Sequence, residues 1–218
     1  MKITSVSAQV RNPDRVNISI DGKYRLSLTI AQVVDLGIKS GAEVSEEMLV
    51  ELEAESTFGK VYQRALEYCL MRPHSAREVR DYLYRKTRTT KYRQRQTGEV
   101  KERQGISHSV ADRVFNKLVE KGYIDDERFA AYWVEHRNQA KGASQRKLSA
   151  ELSAKGVDSR IIEAALAETD RADEDELAKV IAKKQSKYPD RQKFMQYLAR
   201  QGFRYDDIKT ALDEISQR

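Results

Sequence analysis

The stretch KLSAELSAKGV, residues 147–157, returns 46 residues later as KFMQYLARQGF, residues 193–203. Leu148, Leu152 and Val157 map onto Phe194, Leu198 and Phe203, and Gly156 maps onto Gly202. A spacing of four puts the first two of each set on one helix face. The glycine then supplies the left-handed residue that ends a helix. A further helix follows each copy, because Ile162 and Leu166 match Ile208 and Leu212 at the same 46-residue offset. Val79, Leu83 and Lys86 begin the pattern once more. Here the run breaks into TRTTKYRQRQTGEVKERQ, residues 87–104, before Gly105-Ile106 resumes it. Repetition at this period predicts stacked helical units rather than one irregular core.

Working outward gives four segments: a β-rich N-terminal subdomain over 1–57, a first helical repeat over 58–124 with the insertion 87–104, a second over 125–171 and a third over 172–218. The fold class is mainly α. In the first segment KITSVSAQV, RVNISI and KYRLSLTI carry β-branched residues, and Asp21-Gly22 between the last two is a hairpin signal. Two short helical pieces, AQVVDLG and SEEMLVELE, follow, the second with Ser45 as its cap. So small a sheet needs support, which docking on the first repeat provides. In the first repeat, Pro73 closes one helix. Ser75 and Glu78 form a capping box for the next. At GYIDDERFA, Asp125 caps a helix, and Ile124 with Phe129 has the spacing of a hydrophobic staple.

Charge is concentrated. The chain carries a net +6 over 218 residues. Residues 85–103 alone hold Arg85, Lys86, Arg88, Lys91, Arg93, Arg95, Lys101 and Arg103 against Glu99 and Glu102, which equals the whole excess. An anionic partner for one region is implied, nucleic acid first and an acidic protein surface second. Tyr82, Tyr84 and Tyr92 interleave these cations. Cations meet phosphates while aromatics stack on splayed bases, a combination suited to single strands. Four to six such contacts give a log–log salt slope of about −3 to −4. Arg146, Lys147, Lys155, Lys193 and Arg200 on the second helices of later repeats could extend the surface, although amphipathic helices expose such residues in any case. The candidate contact set is Arg85, Lys86, Arg88, Lys91, Tyr92, Arg93, Arg95, Lys101, Arg103, Arg146 and Lys147.

Other chemistries are poorly supported. His74, His108 and His136 lack metal-ligand spacing, so no metal and no cofactor are expected. DDERF and DEDE read as acidic first turns that favour the helix dipole. No phosphate-binding glycine loop of the G-x-x-x-x-G-K-S/T type occurs. No catalytic constellation is readable, and the chain is expected not to be an enzyme. The one cysteine, Cys69, sits in the apolar run ALEYCL and reads as a buried thiol. Phe129, Tyr132 and Trp133 read as core packing. With no apolar stretch approaching a membrane span and no apolar leader, the cytoplasm is the expected compartment.

The succession ALEYCLMRPHSAREVRDYLYRK, VFNKLVEKGYIDDERFAAYWVEHR, RKLSAELSAKGV and IIEAAL resembles the RecX regulatory proteins of bacteria over about residues 58–218. The β-rich N-terminal segment is also similar to that of the longer members. The resemblance implies an elongated, curved array of three tandem three-helix repeats. It further implies a regulator that binds RecA and its single-stranded DNA filament and restrains ATPase activity, strand exchange and filament extension, with DNA bound directly by some members. The sequence carries no obvious dimerisation element, and a monomer is expected. Two other readings stay open: a direct DNA-binding regulator of helix-turn-helix type, and a helical protein-binding scaffold. The insertion 87–104 is longer than the usual join, and Thr87 stands where a glycine is expected. Hairpin, helix extension and disorder are all compatible with its sequence.

Overall fold

The structure is a computed structural model that describes residues 1–216. It is mainly α, with ten α-helices among the described residues and a small N-terminal sheet. Two compact units make up the chain: Met1–Met71 with Arg80–Tyr123, and Arg72–Val79 with Ile124–Arg218.

The first unit starts with strands β1 (Ile3–Ala8), β2 (Arg15–Ile20) and β3 (Lys23–Thr29), antiparallel in the order β1-β2-β3. Asp21 and Gly22, at φ 50° and 77°, make the two-residue turn between β2 and β3. Both lie in the left-handed region that such a turn requires, which is why the Asp-Gly pair was legible. Helix α1 (Ile30–Asp35) opens on a reciprocal capping box between Thr29 and Gln32. Ile3, Ile18, Ile20, Leu26 and Leu28 of the sheet share a core with Ile38, Val44, Leu49 and Leu52.

Leu49 and Leu52 belong to helix α2 (Glu46–Met71), and here the expectation of a separate short helix fails. SEEMLVELE and GKVYQRALEYCLM form one uninterrupted helix, capped by Ser45, whose Oγ accepts from the Met48 amide at 3.2 Å. The Ser-Thr-Phe-Gly stretch at 56–59 is where α2 comes close to the strands and to α1. The buried Ser56 hydroxyl donates to the Ser27 carbonyl at 2.8 Å. A Cβ at Gly59 would stand 2.7 Å from Gln32 Oε1. The small residues Ser56 and Gly59 permit this approach.

α2 ends at Met71, two residues before Pro73. Helix α3 (Ala76–Thr87) follows; its residues to Val79 group with the second unit and the rest with the first. Helix α4 (His108–Glu120) packs on α2 and is capped by Ser107, with Gly122 at φ 70° beyond its end.

In the second unit, helices α5 (Asp126–His136), α6 (Gln145–Ala154) and α7 (Ser159–Ala167) form one three-helix group. Helices α8 (Asp173–Lys184), α9 (Arg191–Arg200) and α10 (Tyr205–Ser216) form the next. Leu148, Leu152, Val157 and Ile162 lie in one core and their 46-residue equivalents Phe194, Leu198, Phe203 and Ile208 in the other. Gly156 and Gly202 are left-handed at φ 78° and 96°. Asp125 accepts from the amides of Glu127 and Arg128, and Ile124 and Phe129 are both buried.

The repeat extends to hydrogen bonds. Ser75 Oγ donates to the Lys155 carbonyl at 2.9 Å, and Asp126 accepts from the Ala76 amide at 2.8 Å. Equivalently, Ser144 Oγ donates to the Gln201 carbonyl at 2.7 Å, and Asp173 accepts from the Gln145 amide at 2.7 Å. Each cap serine thus ties its own helix start to the carbonyl end of a later helix. Ser75 accepts from the Glu78 amide as expected. The Glu78 carboxylate, however, is held by Arg72 at 3.0 Å and Lys155 at 2.5 Å, rather than closing a capping box.

The acidic start of α8 is the acidic first turn read from the sequence, with two of its carboxylates engaged further. Asp173 caps a neighbour, and Glu176 is 1% exposed. It accepts from Arg171 at 2.5 Å, from Lys179 at 2.7 Å and from the Ala143 amide at 2.8 Å. Burial would raise the Glu176 pKa, but these three hydrogen bonds outweigh it and hold the carboxyl below the usual range.

Candidate nucleic-acid interface

The basic insertion is a hairpin. Strands β4 (Thr90–Arg93) and β5 (Val100–Arg103) pair antiparallel, and all eight residues are exposed. The Gln94 amide donates to the Glu99 carbonyl at 2.8 Å and the Gly98 amide to the Gln94 carbonyl at 2.9 Å, with Gly98 at φ 71°. The base closes where the Ile106 amide donates to the Lys86 carbonyl at 3.0 Å. Gly105 is required there by close approach rather than by torsion: a Cβ would stand 1.9 Å from the Thr87 carbonyl oxygen. A ribbon this short, with all eight strand residues exposed, owes its position to that base.

Register sorts the side chains. Thr90 faces Arg103 and Tyr92 faces Lys101, while Lys91 faces Glu102 and Arg93 faces Val100. Opposed residues share a face, so Tyr92, Lys101 and Arg103 occupy one side and Lys91 and Arg93 the other. Lys91 pairs with Glu102 at 3.3 Å and Lys101 with Glu99 at 3.8 Å. Among the described residues, Arg85, Arg93, Arg95 and Arg103 have no carboxylate partner. Lys86 lies over the Tyr82 ring at 4.9 Å and Arg88 over Tyr84 at 5.4 Å, so both add charge beside the base of the ribbon.

The three tyrosines are not equivalent. Tyr82 stacks on Tyr68 with centroids 4.5 Å apart, and its hydroxyl donates to the Arg64 carbonyl at 3.4 Å. With its ring stacked on Tyr68 and Lys86 over it, it serves as packing, and burial raises its pKa. Tyr84 is exposed beside His108, and Tyr92 is exposed on the ribbon itself.

Arg146 and Lys147 lie on α6, in the second unit, and the structure groups them with Arg200 around a cavity of about 270 Å³ that no carboxylate lines. The Lys147 ammonium bonds Gln201 there. Lys155 is engaged by Glu78 and lies 4.4 Å from the Trp133 ring centroid, so it is not a free surface cation. Lys193 is exposed on α9. Trp133 packs against the core that contains Phe129, and its Nε1 donates to Glu151 at 3.1 Å. His136 stacks on Tyr132, and no group of His, Cys, Asp and Glu among the described residues could hold a metal ion. Sequence reading missed Arg15, which is 5% exposed in β2. An arginine opening an alternating strand carries no signal that it points inward.

Two tandem three-helix groups, a small N-terminal sheet and a cationic ribbon between two of the helices define a helical-repeat protein. Three family descriptions match: the regulatory protein RecX N-terminal domain over residues 1–45, the second RecX three-helix domain over 125–166 and the third over 172–212. The regulatory protein RecX of Bacillus licheniformis is 32% identical over 97% of this chain and 76% of its own length. That of Geobacillus kaustophilus is 32% identical over 96% and 76%. The chain belongs to the RecX family, and the names of its relatives support a regulatory role. A crystal structure of a regulatory protein RecX, 22% identical, covers 97% of this chain and 98% of that one at a TM-score of 0.68. One of RecX from Lactobacillus salivarius, 24% identical, covers 74% and 97% at 0.53. Both show the likeness of fold. No helix among the described residues is long and apolar enough to cross a membrane.

Proposed function

We propose that this chain is a non-catalytic cytoplasmic regulator that binds RecA and its single-stranded DNA filament and restrains ATP hydrolysis, strand exchange and filament extension. The observation that carries the reading is the ribbon β4–β5. It is exposed on both faces, and with the end of α3 it concentrates a charge equal to the whole chain's excess. Arg85, Lys86, Arg88, Lys91, Arg93, Arg95, Lys101 and Arg103 supply phosphate contacts, Tyr92 stacks on a base, and Arg146 and Lys147 with Arg200 form a second cationic patch. Segments 58–124, 125–171 and 172–218 act as successive binding units behind the segment 1–57, and the working form is a monomer.

The test adds the protein to preformed RecA–single-stranded DNA filaments and follows ATP hydrolysis. Hydrolysis should fall at stoichiometric protein, and a variant with the ribbon arginines replaced should inhibit less. Unchanged hydrolysis at saturating protein defeats the reading.

A further inference from the structure

Arg15 is a buried cation without a counter-ion. It is 5% exposed, and Nη2 donates to the Ser27 carbonyl at 2.7 Å and to Ser27 Oγ at 3.1 Å. Nη1 is buried with no hydrogen-bond partner. No carboxylate lies within ion-pair distance of it among the described residues. A guanidinium cannot shed its proton to escape this, so burial leaves an uncompensated charge.

Arg15 lines a cavity of about 380 Å³ in the first unit, together with Gln9, Tyr24, Ser27, Lys60, Gln63, Arg64 and Glu67. The last four project from one face of α2 at helical spacing. Three cations meet one carboxylate there. Lys60 and Arg64, four residues apart, repel each other when nothing lies between them. Burial lowers the Arg15 pKa, and proximity of the Tyr24 phenol partly opposes this. Ser27 is tied in turn to Ser56 of α2, whose hydroxyl accepts from the Ser27 amide at 3.4 Å and donates to its carbonyl at 2.8 Å. The guanidinium is therefore held in a fixed orientation between strand and helix.

We propose that this cavity is an oxyanion site that takes a phosphate group, with Arg15 at its base and Lys60 and Arg64 at its rim. Gln9, Gln63 and the Tyr24 hydroxyl supply neutral donors, and Glu67 restricts the charge that is tolerated. The site is independent of the ribbon and stands or falls separately from the filament reading. Phosphate can come from a small molecule or from a nucleic-acid backbone, and the two sources are separable.

Thermal unfolding of the full chain, carrying Arg93→Ala, Arg95→Ala and Arg103→Ala so that DNA binding by the ribbon does not register, is followed at constant ionic strength, with sodium phosphate replacing sodium chloride in one arm and an unphosphorylated deoxythymidine oligonucleotide added in the other. A saturable rise of roughly 5–10 °C is expected at a hundredfold excess over Kd. Lys60→Ala with Arg64→Ala should weaken the apparent affinity at least tenfold, and Arg15→Gln should abolish the response. Should Arg15→Gln not fold, the double variant, altered only at exposed positions, still decides. A response to inorganic phosphate identifies a small-molecule site, and a response to the oligonucleotide alone identifies a backbone site. A rise of equal size in parent and double variant is general stabilisation by a salt excluded from the protein surface and overturns the proposal. So does no rise over chloride in either arm.

Discussion

Replacing Arg93, Arg95 and Arg103 together by alanine tests the ribbon where its charge is least compensated, since Lys91 and Lys101 already face Glu102 and Glu99. If each guanidinium meets one phosphate on single-stranded DNA, each contributes about 0.7 to the slope of log K against log salt. The triple variant should therefore have a slope shallower by about 2. Relative to 1 M salt, the same contacts account for about two powers of ten in affinity at 0.1 M. The assay is fluorescence anisotropy of a labelled deoxythymidine oligonucleotide between about 0.05 and 0.2 M salt. Lys91→Ala with Glu102→Ala removes one phosphate-facing cation together with its carboxylate partner and should flatten the slope by no more than about 0.7, a third of the triple variant's effect. Lys91→Ala alone uncovers the Glu102 carboxylate and should weaken binding. A triple variant with the parental slope refutes the assignment of these arginines to phosphate, whatever happens to affinity at one salt concentration.

Other residues give sharper stability tests. Glu176→Ala leaves Arg171, whose side chain is 10% exposed, without its carboxylate and should cost about 3–5 kcal/mol in urea unfolding. Because the folded Glu176 pKa is depressed, its contribution is present above the ordinary carboxylate value, about 4.3, and is lost as pH falls through the folded value; Glu176→Gln should flatten the acid limb of stability against pH. Gly105→Ala places a methyl against the Thr87 carbonyl and should cost about 1–3 kcal/mol at the ribbon base, seen as faster hydrogen exchange of amides 90–103. Burial pushes the Cys69 thiol up to about 11, so only about one molecule in a thousand is thiolate at pH 8; alkylation should be over a hundredfold slower than for an open cysteine.

Much of the second unit was legible because its signals are local and repeated. Leu148, Leu152 and Gly156 announce a helix and its end within ten residues, and Phe194, Leu198 and Gly202 say the same again. Asp125 and Ser45 were readable as caps for the same reason. What escaped depends on residues far apart in sequence. The unbroken α2 follows from Ser56 meeting Ser27 and Gly59 meeting Gln32. The burial of Glu176 follows from Ala143, and that of Arg15 from Ser27. In each case a polar or small residue, locally ambiguous, is fixed by a partner that no short window contains. The ribbon lies between these extremes, since its charge was plain but its pairing was not.

The repeat carries a further consequence for how the second unit holds together. Ser75 and Ser144 each accept from a helix amide and donate to a carbonyl at the end of a later helix, and Asp126 and Asp173 each reach back to the next amide. A serine hydroxyl can do both at once because it holds one donor and two acceptor sites. Threonine would keep both functions only if its added methyl fitted, and Ser75 and Ser144 are each fully buried. Asparagine could cap, but it would set a wider group against the same carbonyl. The likeness between repeats is therefore more than a recurrence of apolar positions. At Ser75 and Ser144 the helix start is shaped to receive the end of a later helix, and one hydroxyl satisfies both; at Asp190, 46 residues after Ser144, a carboxylate caps α9 by accepting from the amides of Gln192 and Lys193.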